Sequence, residues 1–287
     1  MKRVLFALVA VMMLTAFKSD KPAYYFYNQK GKKVKYEKVL KAALEADVVF
    51  FGESHNNPIA HWMELELTKD FYKAKGDNLI LGAEMFERDN QLILNEYLAG
   101  KISGKSFKDE ARLWPNYSTD YKPLVEFAKE HKLPFIATNV PRRYASVAYK
   151  NGFEGLDSLD AEAKSYIAPL PIAYDADLKC YKDMLSMMGM GAHVNENFPK
   201  AQAVKDATMA YSIAGYAEKG KLFFHYNGSY HSDNYQSILW HLNQYKPGLK
   251  IVTISTVEQP DIDTISNEFR SQADFILVVP EDMTRTY

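Results

Sequence analysis

The stretch Asp47-Val48-Val49-Phe50-Phe51-Gly52-Glu53-Ser54-His55-Asn56-Asn57-Pro58-Ile59-Ala60-His61 sets the expectation for the fold. Its apolar run, Val48 to Phe51, is continuous where a strand with one wet face would alternate, as expected of a strand buried on both faces of a parallel sheet. A short polar segment follows. Asn57 then offers a side-chain cap, and Pro58 occupies the first helical position, where its missing N–H is harmless. Amphipathic spacing continues from Pro58 to Tyr72. Strand, polar turn, helix is half of a βαβ unit, and its polar residues leave the strand's carboxyl end.

Further apolar runs repeat that start: Asn78 to Gly82, Leu133 to Ala137, Lys221 to His225, Leu249 to Ile254 and Asp274 to Val279. Amphipathic segments at Asn90 to Ala99 and Tyr121 to His131 fall between them. The alternation predicts an α/β fold, a mainly parallel sheet flanked by helices. Tyr24 to Tyr27 and Lys33 to Tyr36, around a turn at Asn28 to Gly31, predict an edge hairpin. Residues 142–218 carry no convincing strand, while Asp160 to Tyr166, Asp175 to Met188 and Lys200 to Ala217 have helical spacing. They predict an inserted helical subdomain, 142–218, in a core domain formed by 20–141 and 219–287. Such an insertion would lie over the crevice at the strand carboxyl ends.

Composition fits a globular chain. Of 287 residues, 47% are hydrophobic and 25% charged, with 35 Lys and Arg against 36 Asp and Glu, so no field of one sign favours nucleic acid as a partner. Lys2 and Arg3 before the apolar stretch Val4 to Phe17 predict a secretory signal peptide over residues 1–19, and hence export. No cysteine follows that stretch to accept a lipid, and the lone Cys180 has no partner for an internal disulfide.

Polar groups capable of chemistry gather just after the expected strands. Glu53, His55 and His61 follow the first; Glu84 and Arg88 the second; Asn139, Arg142 and Arg143 the third; His225, Asn227 and His231 the fourth. Each has a plainer explanation. His61 suits half-buried packing as well as ligation, and Arg142 and Arg143 suit a solvated helix start. Glu84, directly after an apolar run, needs a partner if buried, and Arg88, His55 or a metal would serve. Their placement together favours a site. Gly-x-x-His occurs twice, as Gly52-Glu53-Ser54-His55 and Gly228-Ser229-Tyr230-His231. Glu53, His55, Glu84 and His231 could act as acid, base and orienting groups. Alternatively, His55, His61 and His231 with a carboxylate could hold a divalent ion such as zinc. The chain lacks His-Glu-x-x-His and a Gly-x-Ser-x-Gly elbow.

In order, residues 52–61, 84–91, 121–128, 139–143, 202–210 and 228–231 resemble the motifs of the ChaN-like haem-binding proteins. The Gly-x-x-His and Glu motifs are also similar to those of TIKI/TraB proteins and erythromycin esterases, which implies a hydrolase-like pocket and leaves an esterase- or peptidase-like hydrolase as an alternative. The resemblance implies a bacterial, exported, periplasmic or cell-envelope protein that binds haem and takes part in iron acquisition. Partners implied are haem, a second copy as a homodimer, and outer-membrane haem-uptake components. Family members often carry a lipobox cysteine, which this chain lacks.

Haem requires an apolar slot, cations for its propionates and an axial ligand. Met184, Met187, Met188 and Met190 lie near Tyr181 and His193 in the inserted region, although a Met stripe at that spacing also suits plain helix core. Tyr174, Tyr181 and His193 are the candidate ligands, with Arg88 and Arg142 for the anionic groups.

Overall fold

The computed structural model describes residues 21–187 and 195–287. His193, Met188 and Met190, named above, lie outside these residues, as does the side chain of Met187. The described chain begins with the hairpin β1 (Tyr25–Asn28) and β2 (Lys33–Val34), followed by α1 (Tyr36–Leu44) and β3 (Val48–Glu53). Next come α2 (Pro58–Lys75), β4 (Leu79–Glu87), α3 (Gln91–Leu98), α4 (Gly104–Glu110), α5 (Lys122–His131) and β5 (Phe135–Asn139). Five helices then precede the next strand: α6 (Arg142–Asn151), α7 (Glu154–Asp157), α8 (Ala161–Ser165), α9 (Lys179–Met187) and α10 (Asn197–Tyr216). Last come β6 (Leu222–Gly228), α11 (Ile238–Tyr245), β7 (Ile251–Gln259) and β8 (Phe275–Pro280).

The eight strands form one sheet in the order β2-β1-β8-β7-β3-β6-β4-β5. The six strands from β8 to β5 are parallel, and the hairpin joins β8 antiparallel at the edge. This is the α/β sheet the unbroken apolar runs imply. Along β3 the side chains divide: Val49 and Phe51 pack with Met63, Leu67 and Phe71 of α2, whereas Val48 and Phe50 pack with Met209, Ala210 and Ile213 of α10 and Leu242 of α11. Both faces are covered, so neither needs a polar residue. Asn57 caps α2 by accepting hydrogen bonds from the Ile59 and Ala60 N–H groups, with Pro58 at the first turn.

The helices between β5 and β6 have two roles. Val140, Ala145, Ala148, Leu156 and Ile172 form an apolar cluster with Ala201, Val204 and Ala207 of α10. The same α10 lies on the sheet through Met209, Ala210 and Ile213. Thus it joins the helical layer to the sheet and carries groups from one to the other. Chain connections leave the β3–β6 region in opposite directions, with β6 lying between β3 and β4 and β7 on the far side of β3. In open parallel sheets a ligand crevice forms at such a reversal, outside the carboxyl ends of the strands.

Candidate functional site

A cleft of about 930 Å³ opens at that reversal, within the range of small-molecule sites. Its lining includes Glu53, His55, Glu84, Arg142, Gly228 and His231. Four strands, β3, β4, β5 and β6, and the segments that follow them bring these residues together. Glu53 is the last residue of β3 and pairs in register with Gly228 at the end of β6. Glu84, expected to follow its strand, lies inside β4, which extends to Glu87. There the pairing with β5 shifts register between Ala83 and Glu87, and the Asn139 side chain donates to the Glu84 carbonyl at 3.0 Å. Irregular pairing of this kind re-aims a side chain beside a site.

Two carboxylate–imidazole systems meet at the cleft floor. In the first, Glu53 Oε1 is 2.7 Å from His55 Nδ1 and accepts a 2.7 Å hydrogen bond from the Tyr121 hydroxyl. Burial alone would raise the Glu53 pKa, but the hydrogen-bonded His55 and the neighbouring His61 outweigh it and hold the carboxyl well below the usual range. Burial opposes charge on His55, yet Glu53 and the Glu84 charge raise its pKa. In the second system, His231 Nε2 lies 3.2 Å from Glu84 Oε1 and Nδ1 lies 2.5 Å from Asp206 Oδ1. Glu84 Oε2 accepts the Gly228 N–H at 2.8 Å. Despite burial, the two carboxylates push His231 up to about 10, and His231 brings Glu84 down to about 2. His231 is therefore an imidazolium at neutral pH, with both N–H groups engaged.

Each glycine of the repeated Gly-x-x-His makes room for the other segment. A β-carbon at Gly228 would stand 2.7 Å from His55 Nε2, and one at Gly52 would stand 2.8 Å from Ser229 Cα. Both are closer than real contacts allow, so the repeat reflects two strand ends packed against each other.

The expected metal set His55, His61 and His231 does not come together. Among the described residues, the donor group close enough to hold an ion is Glu53, His61 and Glu64. His61 sits behind Glu53 on α2, with Nδ1 3.1 Å from Glu64 Oε2 and Nε2 3.1 Å from the His55 carbonyl. Arg88 is absent from the cleft lining. Because β4 runs on to Glu87, Arg88 falls past the rim and faces the Tyr211 ring of α10. Tyr181 is 1% exposed, and its hydroxyl donates to Asp206 at 3.0 Å and lies 3.2 Å from His241 Nε2. Its phenol thus orients Asp206 and does not face the cleft. Tyr174 packs on Phe153 and Tyr181 and is also absent from the lining. His225 is buried within β6 between Thr138 and Asn227, and burial lowers its pKa to about 4.

Three site residues lacked an assigned role from sequence: Asp206, Glu64 and Tyr121. Asp206 had a signal, as a single carboxylate among Ala203, Val204, Ala207, Met209 and Ala210. Glu64 had one too, three residues after His61 and so on the same helical face. Nothing in the sequence marks Tyr121 apart from the other tyrosines.

The sequence pattern of the family described as haem-binding uptake, Tiki superfamily, ChaN, matches residues 39–242, and the chain belongs to this family. A solved structure with a similar fold is ChaN of Campylobacter jejuni, described as binding haem cofacially, at a TM-score of 0.69 and 17% identity over 89% of this chain and 96% of that one. An erythromycin esterase in its open conformation aligns at a TM-score of 0.43 and 12% identity, over 89% of this chain and 83% of that one. Among curated proteins, RETICULATA-RELATED 5, chloroplastic, of Arabidopsis thaliana is 28% identical over 146 residues, 49% of this chain. The match spans 19% of that relative's length.

Proposed function

We propose that this chain is an exported haem-binding protein that handles haem iron during acquisition, with the porphyrin held in the cleft above β3, β4 and β6. The observation that carries this reading is the cleft's composition. Trp114, Val140, Met184, Phe198, Tyr230 and Phe269 supply apolar wall, while Arg142 and Lys205 place cations beside it. These groups fit a flat apolar ligand with acidic substituents. His55 and Tyr230 line the cleft and carry the imidazole and phenol types that ligate haem iron. Bound haem would supply an iron centre able to change oxidation state. The chain's own residues would sandwich the ring, neutralise its propionates and restrict water. Residues 142–218 would form the helical cap over this cleft. The charged and apolar pattern of residues 2–17 supports export to the periplasm or cell envelope. Partners would be a second copy and outer-membrane haem-uptake components. Titrating purified full-length protein with haemin tests the reading: a Soret shift saturating below millimolar concentration, weakened in an Arg142→Ala, Lys205→Ala variant, is expected, and no shift would reject it.

A specific observation favours a second reading, a Glu/His-dependent hydrolase of the esterase or peptidase type. His55 is backed by Glu53, and its imidazole is 36% exposed beside the cleft, so it can take a proton from water or a substrate hydroxyl. His231, fixed between Glu84 and Asp206, would provide a standing positive charge. An ester and peptide library assayed with wild type, His55→Ala and Glu84→Ala decides this, because activity equal in all three removes the reading.

A further inference from the structure

Behind the cleft floor, Glu53, His61 and Glu64 bring three donor atoms to within 4.8 Å of one another in a buried position. His61 Nδ1 is 3.2 Å from Glu53 Oε2 and 3.1 Å from Glu64 Oε2. Ligands around a tetrahedral zinc ion, each about 2.0–2.1 Å from it, stand roughly 3.3 Å apart, so His61 already has that spacing from both carboxylates. A single Nδ1–H also explains one such distance, but it reaches only one carboxylate. Glu53 Oε2 and Glu64 Oε1 are buried without a hydrogen-bond partner. Two neighbouring carboxylates left short of donors in a protein interior are costly, and a cation relieves both.

The surroundings are also those of a metal centre. The other ring nitrogen of His61 faces the His55 carbonyl at 3.1 Å and Asp120 Oδ2 at 3.4 Å, which fixes the tautomer that leaves Nδ1 to ligate. The second oxygen of Glu53 is held by His55 and Tyr121, each at 2.7 Å. Asn116 donates to both the His55 carbonyl and Asp120, at 2.8 and 2.7 Å. Oriented imidazole and oriented carboxylate together are the outer support that metal ligands require.

We propose that Glu53, His61 and Glu64 bind one divalent transition ion of the Zn2+, Mn2+ or Fe2+ type, in a site behind the haem cleft that adjoins it through Glu53. The ion replaces protons on the cluster, and through Glu53 it fixes the position of His55. Glu53 is shared by the floor of the cleft and the metal site, so metal occupancy sets the geometry of the cleft without touching its ligand.

The test uses full-length protein stripped with chelator and titrated with Co2+ and Zn2+ in the absence of haem. One equivalent binding with proton release, with the visible absorption of low-symmetry Co2+, is expected. Glu64→Gln, which keeps shape and removes the charge, should weaken binding at least tenfold while leaving haemin binding measurable. X-ray absorption of the loaded wild type should show nitrogen and oxygen neighbours with a single imidazole. No stoichiometric uptake, uptake unchanged in Glu64→Gln, or two imidazoles on the ion would overturn the proposal. Because haem takes no part in these measurements, their failure is distinct from failure of the haem reading.

Discussion

Gly228 lies so close to His55 that any β-carbon there would stand 2.7 Å from Nε2. The imidazole is 36% exposed, so it can move aside. We expect Gly228→Ala to fold with a stability loss of about 1 kcal/mol while swinging His55 out of place, which weakens haemin binding. Gly52→Ala presses on Ser229 backbone instead and should cost more, about 1–3 kcal/mol. Urea unfolding and haemin titration of both variants check this. Equal stability losses with unchanged haemin affinity would contradict the packing described.

Asp206 is fully buried and holds both His231 and Tyr181. Asp206→Ala leaves a buried imidazolium with one counter-charge fewer, a loss typically costing about 3–5 kcal/mol. In a chain of this size that lowers the melting temperature by roughly 10 °C. A shift of only a degree or two by calorimetry would show that the clamp is not formed.

Tyr121 donates to Glu53 Oε1 at 2.7 Å from a fully buried position. Hydrogen bonds to charged acceptors are worth about 1.5–3 kcal/mol, so Tyr121→Phe should lose that amount with no cavity to repack. An unchanged urea midpoint would place the hydroxyl's partner elsewhere.

The shifted imidazoles fix the sign of the pH dependence. Burial opposes charge on His231, but the Glu84 and Asp206 carboxylates raise it to about 10. The folded state therefore holds a proton that the unfolded chain releases above about 6.5, and this stabilisation is lost as pH rises through the folded value. His225 behaves oppositely: burial brings it down to about 4, so its contribution is lost as pH falls from about 6.5 toward 4. Stability should peak near neutrality and fall from pH 7 to 9 by up to about 1.4 kcal/mol per pH unit for the His231 imidazolium. Urea unfolding at pH 7, 8 and 9 measures this slope, and a flat or rising profile would contradict the assignment of charges.

The unbroken apolar runs made the sheet legible because strands covered on both faces carry no alternation to mislead. Strand ends were less legible. Glu84 and His225 sit within strands, at 5% and 0% exposure, where their partners come from β5, β6 and the turn after β6. Local propensity contains no information on such partners. For the same reason Glu53, His55, Glu84 and His231 could be placed on one rim from sequence, whereas Asp206 and Glu64 could not be given partners. Arg88 follows a strand that runs on to Glu87, and its side chain meets the Tyr211 ring of α10 and not the cleft, a placement that the apolar run ending at Gly82 does not convey.

Anomalous scattering from crystals of the haemin-loaded protein, recorded at the iron edge, tests the central claim most directly. The account predicts an iron peak inside the cleft bounded by His55, Trp114, Phe198 and Tyr230. An iron peak on the outer surface of the sheet or helices, with the cleft filled by water, would contradict it.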